Sequence, residues 1–361
     1  MKVNVIVTLS LLLEAAVSIP NADDKLHIYA LPVGQGDCTV IQCPRGANDP
    51  VKGTVSIIDA GSSTKDLGIN GQDIKDYLEG AKLYYVFLTH ADADHLNYMD
   101  DILMSQDHEV SVFHSCSWNK YGCYISSPNA VPQIVPRCFN IQSCHRVFPV
   151  LNLCPNYQPN TNAVNSVKLF FVASAVRECA GNIANNEDSL IVKITYGQTS
   201  ALITGDFELT PNLMTQFLRV AAPDLGSDIY KLSHHGAYNG KANQKQFLIA
   251  VKARYVFSSS GYMYGHPRCE IAKYYRSKLP NNVPPHPYTC FYHIGNRQYR
   301  PLNMNTKKPI YVTSALKGNF NGWTESHNTV VKINIDINNN KIDIDLPPLG
   351  NEIKIRKKYP N

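Results

Sequence analysis

Charged side chains are scarce in this sequence. Only 17% of its 361 residues are charged, with 34 basic and 29 acidic side chains, whereas soluble domains carry roughly 25% charged residues. This composition excludes an intrinsically disordered chain, and 21 glycines with 22 prolines are too few for a collagen-like or low-complexity one. The net charge of +5 excludes the concentrated positive field of a dedicated nucleic-acid-binding module. The 44% of hydrophobic residues suffices for one large domain or two ordinary ones.

The sequence also has no apolar run long enough to cross a bilayer. The run from Val3 to Leu13 is closed by Glu14 and has about half the roughly 20 apolar residues that a spanning helix needs. Lys2 precedes this run and small residues follow it up to Ser18, which is the pattern of a secretory signal peptide. We therefore predict a signal peptide over residues 1–18, a secreted, extracellular protein and no stable association with a membrane.

The ten cysteines are consistent with export. They form an even set, so up to five disulfides are possible, and their connectivity stays open. Their spacing is irregular, without paired Cys-x-x-Cys units, and does not favour a zinc ribbon. The sequence holds no Asn-x-Ser/Thr acceptor, so we expect no N-glycosylation. Five of the cysteines lie between 110 and 165 among many Asn, Ser and Pro residues, and this segment is predicted to be a disulfide-rich insertion.

Short apolar strands alternate with amphipathic helices along most of the chain, which predicts a layered α/β or α+β domain. Near the C-terminus, apolar and polar residues alternate over 331–337 and again over 342–346, which predicts a β-hairpin that covers a sheet edge or binds a partner. The basic run 354–358 is interpreted as a solvated tail. The domain spans 19–300 and the C-terminal β extension with its tail spans 301–361. Strands are predicted over Leu26–Leu31, Thr39–Gln42, Val55–Ile58, Leu83–Leu88, Val167–Val172, Leu190–Tyr196, Ala201–Thr204, Ile229–Leu232 and Tyr255–Ser258, and helices over Gln72–Leu78, Leu96–Met104, Pro211–Val220, Gln244–Val251 and Glu270–Lys278.

The first motif that carries chemistry follows the strand Leu83–Leu88. His90, Asp92, Asp94 and His95 place four candidate metal ligands within six residues. On an extended backbone His90 and Asp92 point to one side, while Asp94 and His95 begin the next helix. Imidazole and carboxylate groups bind zinc and harder ions such as manganese, and carboxylates clustered without a cation would repel one another. Singly these are ordinary cap or loop residues, but together they predict a metal site.

Three further predicted strands end in polar residues. Asp206 follows the strand Ala201–Thr204, the pair His234 and His235 follows Ile229–Leu232, and His266 lies on a turn after Ser258. Sites commonly gather at such strand ends in layered domains. Each of these residues alone is as readily an ordinary turn residue.

Taken in order, these motifs resemble the metallo-β-lactamase fold superfamily, and are most similar to the hydrolase-like domain of ComEC-type bacterial DNA-uptake channel proteins. The resemblance spans roughly Leu26 to Lys278. The central motif alone is moderately specific, whereas the ordered set is highly specific. The matching motifs are VGQGDC (33–38), IIDAG (57–61), LTHADADH (88–95), NEDSLIVKITYG with ALITGD (186–206), KLSHHGA (231–237) and YGHP (264–267).

The resemblance implies a four-layer αβ/βα sandwich with one or two divalent ions, zinc or manganese, at one edge. It implies one metal held by Asp94, His95 and either His234 or His235, a second held by His90 and Asp92, and Asp206 as a bridge between them. Asp59 would orient a ligand. Two departures concern the second position: the commonest superfamily pattern has histidine at Asp92, and no histidine precedes Asp206 in the strand. That position is expected to be weak, transient or selective for manganese.

The resemblance favours metal-assisted hydrolysis of a phosphodiester, with DNA as the leading substrate. A divalent ion lowers the pKa of bound water from about 15.7 towards ~7, so that hydroxide forms at neutral pH. Asp94 and Asp206 would act at the reacting centre, His266 would stabilise charge or protonate the leaving oxygen, and Lys231 would contact phosphate. The fold also supports esterases of phosphorylcholine esters or lactones, and a secreted binding or effector protein with an impaired site is a third interpretation.

Overall fold

The computed structural model describes residues 18–63, 68–158, 166–180, 185–261, 263–281, 283–295, 298–317, 324–326, 329–346 and 355–356. Apart from Ser18, the predicted signal peptide lies outside the described residues. The strands are β1 Leu26–Ala30, β2 Gly36–Gln42, β3 Thr54–Ser62, β4 Lys82–Leu88, β5 Val110–His114, β6 Ala130–Ile134, β7 Leu151–Asn152, β8 Lys168–Ala173, β9 Ile191–Tyr196, β10 Thr199–Ile203, β11 Ile229–Lys231, β12 Tyr255–Ser258, β13 His286–Gly295, β14 Gln298–Thr306, β15 Tyr311–Val312, β16 Ala315–Lys317, β17 Thr324–Ser326, β18 Val331–Asp336, β19 Lys341–Asp345 and β20 Ile355–Arg356. The helices are α1 Gly71–Leu78, α2 Ala93–Leu96, α3 Met99–Met104, α4 Ile141–Val147, α5 Pro211–Leu225, α6 Lys245–Val251 and α7 Cys269–Tyr275.

Two sheets hold most of these strands. The first has the order β19-β18-β1-β2-β3-β4-β5-β6 and the second the order β15-β12-β11-β10-β9-β8-β7. Strands β3 to β6 are parallel to one another, and so are β10, β11, β12 and β15. Since parallel strands end at one edge of a sheet, the loops that follow β3 and β4 share an edge of the first sheet, and those after β10, β11 and β12 share an edge of the second.

Side chains on the two faces of each sheet fill three hydrophobic cores. These cores separate four layers of secondary structure. Leu26 and Ile28 of β1 lie in a core with Val192 and Ile203 of the second sheet, so the two sheets pack face to face. Tyr29 points the other way, into a core shared with α1 and α3. A third core lies between the outer face of the second sheet and α5, α6 and α7. Strands covered on both faces are mostly apolar, and the layers form the predicted αβ/βα sandwich.

The predicted elements are largely present, with one interruption. All nine predicted strands exist, but the helix predicted over Leu96–Met104 is divided into α2 and α3. The backbone N–H of Tyr98 donates to the carbonyl of Ala60 in β3 instead of continuing the helix. The break therefore anchors the residues that follow β4 to the first sheet. None of the helices in the described part of the chain has the length and apolarity that crossing a bilayer requires.

The segment 110–165, which we predict to be a disulfide-rich insertion, contributes strands to both sheets. Its strands β5 and β6 extend the first sheet, and β7 pairs with β8 in the second. Both β5 and β6 have only five residues, and Pro132 within β6 weakened the strand signal; proline is tolerated there because β6 is an edge strand. These strands form because they pair with neighbouring strands, although the local sequence pattern is irregular.

Four disulfides are present among the ten cysteines, all of which lie in the described residues. Such a set is typical of proteins that fold outside the reducing cytosol. Cys38 is buried and Cys123 is exposed, and neither is disulfide-bonded. The pairs are Cys43–Cys154, Cys116–Cys179, Cys138–Cys144 and Cys269–Cys290.

The predicted C-terminal hairpin exists and covers a sheet edge. It consists of β18 and β19, and β18 pairs antiparallel with β1. The boundary predicted at 300/301 falls inside β14, which pairs with β13 from the preceding segment, so the extension and the domain are not separated there. Most of the basic tail 354–358 lies outside the described residues.

The buried side chain of His286 in β13 is expected to make the stability of the fold depend on pH. Its Nε2 accepts the backbone N–H of Val312 at 3.2 Å, and burial lowers the pKa of His286 to about 4. Because the pKa in the folded state is below the unfolded value of about 6.5, this neutral side chain stabilises the fold above pH 6.5, and that contribution is lost as pH falls towards 4.

We expect the wild type to lose about 2–3 kcal/mol more stability between pH 7 and 4.5 than His286→Gln, which keeps an acceptor but does not titrate. Urea unfolding at both pH values measures the difference. Parallel losses in the two proteins would contradict it.

Candidate metal centre

The predicted ligands converge where the two sheets present the ends of parallel strands. His95 is in α2, directly after β4, Asp206 follows β10, and His235 follows β11. His95 and His235 have ring centroids 5.3 Å apart, and both approach Asp206 within 3.3 Å. Segments more than 100 residues apart in the sequence therefore meet at one carboxylate.

His95 is held by an aspartate in the first sheet. Its Nδ1 lies 2.8 Å from Asp59 Oδ2, and its Nε2 lies 3.2 Å from Asp206 Oδ1. The same Asp59 carboxylate accepts the backbone N–H and the hydroxyl of Thr89 at 2.8 and 2.6 Å. A carboxylate on Nδ1 fixes the tautomer that leaves Nε2 free to bind a metal ion. Asp59 thus orients His95, as predicted.

Of the histidine pair, His235 points into the cluster. Its Nδ1 donates to the carbonyl of Ser259 at 2.8 Å, while its Nε2 lies 3.4 Å from Asp94 Oδ2 and 3.3 Å from Asp206 Oδ2. His234 lies at the rim: its side chain is 25% exposed, its Nε2 is 3.8 Å from Asp206 Oδ2, and its Nδ1 is 3.1 Å from Glu208 Oε2. The structure therefore separates the two histidines that the sequence left equivalent.

Unusual backbone conformations place these groups. His234 and His235 have φ of 48° and 52°, and Asp59 has φ of 57°. Left-handed conformations of non-glycine residues are costly and persist where the surrounding structure enforces them, commonly at functional sites. Gly205 has φ of +53°, and a Cβ atom there would lie 2.3 Å from the Thr89 hydroxyl oxygen. Only glycine allows the Asp206 turn to approach the residues after β4 so closely.

The electrostatics of the cluster favour positive charge on its imidazoles. Burial alone would raise the pKa of Asp206, but His235 and His95 hold it well below its usual range. Burial alone would lower the pKa of both histidines, but Asp206 raises that of His235 to about 10 and that of His95 well above its usual value. A proton or a divalent cation would neutralise the negative charge of the Asp206 carboxylate. It would bind at the ring nitrogens that face this carboxylate.

These groups fit a divalent metal ion. The Nε2 atoms of His95 and His235 and Oδ1 of Asp206 are buried and make no hydrogen bond among the described residues. One ligand atom from each of these residues and from Asp37 lies within 4.8 Å of the others. Atoms that each bind one ion at about 2 Å lie within about 4 Å of one another, so small shifts would bring this set into coordination distance. Mixed imidazole and carboxylate ligands suit zinc or manganese.

His90 and Asp92 lie beside this cluster as a second, less complete group. His90 Nε2 is 3.4 Å from Asp92 Oδ2, and the His90 and His95 rings have centroids 4.2 Å apart. The Nε2 atom of His90 is buried without a hydrogen-bond partner in the described residues, whereas the Asp92 side chain is 41% exposed. In place of a strand histidine, Asn186 lies near His234, with 3.4 Å between Nδ2 and Nδ1. A second metal ion there would have fewer ligands from the described residues.

Two predicted catalytic residues, Lys231 and His266, are both buried. The prediction that Lys231 contacts phosphate is wrong, because Lys231 is 1% exposed and forms an ion pair with Asp37. His266 is buried with its ring 6.4 Å from that of His235 and 5.9 Å from that of His234. Burial and these neighbouring imidazoles lower the pKa of His266 well below its usual value. A neutral His266 is placed to hold an oxygen atom by a hydrogen bond, while its role as an acid stays a prediction.

Two residues of the site received no role from the sequence. Asp37 belongs to the VGQGDC motif, and its position at the start of β2 gave no indication that it would reach Lys231 across the two sheets. Glu208 lies two residues after Asp206, and its Oε2 also accepts the side-chain amide of Asn239 at 3.0 Å. This position two residues after a predicted ligand could have indicated from the sequence that Glu208 belongs to the site.

Comparisons with known proteins give structural likenesses only. No family model matches the chain, and no curated protein matches it. Among solved structures, the class B3 di-zinc metallo-β-lactamase LRA-12 from an Alaskan soil metagenome is 12% identical with a TM-score of 0.35, over 78% of this chain and 100% of that one. Metallo-β-lactamase SMB-1 is 10% identical with a TM-score of 0.35, over 61% and 82%. The diiron β-hydroxylase CmlA from Streptomyces venezuelae is 13% identical with a TM-score of 0.37, over 68% of this chain but only 46% of the hydroxylase. The sandwich described above is established by the chain's own sheet order and cores.

Proposed function

We propose that the protein is a secreted, metal-dependent hydrolase that cleaves phosphodiesters, with DNA as its leading substrate. The observation that carries this proposal is the convergence of His95, His235 and Asp206 on one buried point, with ligand atoms that find no hydrogen-bond partner in the described residues. The four disulfides support a site of action outside the cytosol.

The residues of the centre divide into those that hold the metal and those that face the substrate. His95, His235, Asp94 and Asp206 would hold one ion, and His90 with Asp92 would contribute to a second. A divalent ion bound there supplies a Lewis acid that polarises a phosphoryl oxygen and lowers the pKa of water. Asp59 fixes the His95 ring through Nδ1, and the Ser259 carbonyl does the same for His235. Ring atoms held in this way lose little freedom when they bind metal.

The rim of the site can hold a substrate oxygen. His234 is kept in place by Glu208, with 3.1 Å between Nδ1 and Oε2, and its side chain is 25% exposed. His266 lies behind it. Both imidazoles can donate a hydrogen bond to a phosphoryl or leaving oxygen, which lowers the energy of charge that develops there. No proton transfer from either ring is required for this role.

One observation favours a phosphodiester over an uncharged ester, and a second is compatible with it. The ordered motifs from VGQGDC to YGHP resemble the domain associated with DNA uptake, and the net charge of +5 is compatible with a polyanionic substrate. The carboxylates of Asp92, Asp94 and Asp206 would repel a phosphate in a metal-free site. Phosphate binding and metal binding are therefore expected to depend on each other.

Removal and return of metal test this function. Purified protein treated with EDTA is expected to lose DNA cleavage, and Zn²⁺ or Mn²⁺ is expected to restore it; affinity for DNA should fall as salt rises, since phosphate contacts release counterions. The assay includes bis-nitrophenyl phosphate, a nitrophenyl phosphorylcholine and a lactone in parallel. Metal analysis before and after treatment gives the number of ions bound.

The outcomes separate the alternatives. Cleavage that is indifferent to EDTA would contradict the metal role. Metal-dependent cleavage of only the phosphorylcholine ester or the lactone would identify a small-molecule esterase. Bound metal with no turnover of any of these substrates would favour a binding protein with an impaired centre.

A further inference from the structure

An ion pair between Lys231 and Asp37 lies inside the protein beneath the candidate metal centre. Lys231 is the last residue of β11 in the second sheet, and Asp37 belongs to β2 in the first. Each residue is 1% exposed, and Nζ contacts Oδ2 directly. A charged contact therefore joins the two sheets at the edge where the predicted ligands gather.

The ammonium group of Lys231 also reaches the turns that carry two predicted ligands. Its Nζ donates to the carbonyl of Gly205 at 3.3 Å and to that of Leu232 at 3.5 Å. Gly205 directly precedes Asp206, and Leu232 begins the turn that contains His235. One side chain thus binds the backbone of both turns.

Asp37 extends this arrangement to the first sheet. Its Oδ2 lies 3.9 Å from Nδ1 of His95, and its carboxylate belongs to the group of ligand atoms that lie within 4.8 Å of one another. Through the pair, the element that carries His95 and the turns that carry Asp206 and His235 share one anchor.

Neither stability nor charge accounts for this pair. A buried ion pair loses the solvation of both charges, and apolar residues of similar volume often stabilise a fold as well or better. A fixed positive charge near a cation site opposes cation binding. The position of the ammonium group, rather than its charge, is what benefits the site.

We propose that the Lys231–Asp37 pair is a positioning device that sets the spacing of Asp206, His235 and His95 for metal binding. This inference rests on the proposed metal centre. It assigns Lys231 a role that involves no contact with substrate.

The test compares metal affinity and thermal stability in Lys231→Met, in the double variant Lys231→Met/Asp37→Asn and in Lys193→Met. Lys193 is a matched control, since it is a partly buried lysine of the second sheet whose Nζ donates to the carbonyls of Asp224 and Gly226, away from the centre. Zn²⁺ affinity is measured by competition with a chromogenic chelator, and Tm is measured on the metal-free proteins.

Positioning and electrostatics predict opposite signs. Loss of a positive charge alone would tighten Zn²⁺ binding, whereas loss of positioning should weaken it by about 10–100-fold, as for other groups that orient metal ligands. Lys231→Met should also lower Tm by about 5 °C or more because Asp37 is left buried and unpaired. The double variant should regain much of the Tm because no charge is left buried and unpaired, and Lys193→Met should lower Tm with unchanged affinity.

Zn²⁺ affinity in Lys231→Met within threefold of the wild type, or tighter, would overturn the inference, and so would a double variant that regains affinity together with Tm. A wild type that binds no Zn²⁺ or Mn²⁺ would instead refute the metal centre, and the inference would fail with it. A wild type that binds metal while Lys231→Met also binds it normally would refute the positioning role alone.

Discussion

Replacement of Asp206 with alanine is expected to remove metal binding and hydrolysis while the sandwich stays folded. Asp206 lies within 3.3 Å of ring nitrogens of both His95 and His235, so one substitution removes the group that these two histidines share. Loss of a residue that merely orients a ligand costs 10–100-fold in metal affinity, and loss of the shared carboxylate should cost at least ~100-fold. Metal content, affinity and phosphodiester turnover measure the effect, with circular dichroism to confirm folding.

Asp49→Ala is the matched control for this prediction. Asp49 accepts hydrogen bonds from Thr54, Asn156 and the backbone of Gly46, so its loss should lower Tm but leave metal content unchanged. If Asp206→Ala retained full metal content and turnover, the assignment of the centre would be wrong.

Removal of the Cys43–Cys154 disulfide should produce the largest loss of stability among the four bridges. It closes a sequence separation of 111 residues and joins the segment that follows β2 in the first sheet to the one that follows β7 in the second. In the chain-entropy model a loop of this length stabilises the fold by about 5 kcal/mol. Urea unfolding of the Cys43→Ala/Cys154→Ala variant under non-reducing conditions measures the change.

The Cys138–Cys144 bridge is the internal comparison for that measurement. It closes a separation of only 6 residues, for which the same model gives about 2 kcal/mol. We therefore expect Cys138→Ala/Cys144→Ala to lose about half as much stability. An equal or greater loss from the short loop would show that loop closure does not govern the stability of this fold.

The strands and the ligand motif were predictable because their signals are local. Every strand from β1 to β3 is buried along its length, β4 ends in three buried apolar residues, and the residues from His90 to His95 follow β4 directly. A strand that is covered on both faces needs little context to be identified, since both of its faces are mostly apolar. The resemblance carried by the ordered motifs predicted the αβ/βα sandwich as a whole.

The remaining features depend on contacts between distant segments. The choice of His235 over His234 is made by the Ser259 carbonyl, 24 residues away, and no local pattern encodes it. Lys231 at a strand end has the same local appearance whether it faces solvent or the interior; its burial follows from Asp37 on the other sheet. The strands β5 and β6 were missed because the pairing of β5 with β4 and of β6 with β5, and not their composition, makes them strands.

The position of β18 beside β1 has a consequence for how the chain folds. The first strand of the first sheet acquires its outer neighbour from residues 331–336, about 300 positions later. During synthesis, the backbone groups on that side of β1 stay unpaired until residues 331–336 have left the ribosome. An unpaired strand edge invites association with other chains, and pairing over such a distance in sequence slows folding. Nascent chains that stop before residue 331 should therefore be prone to aggregate.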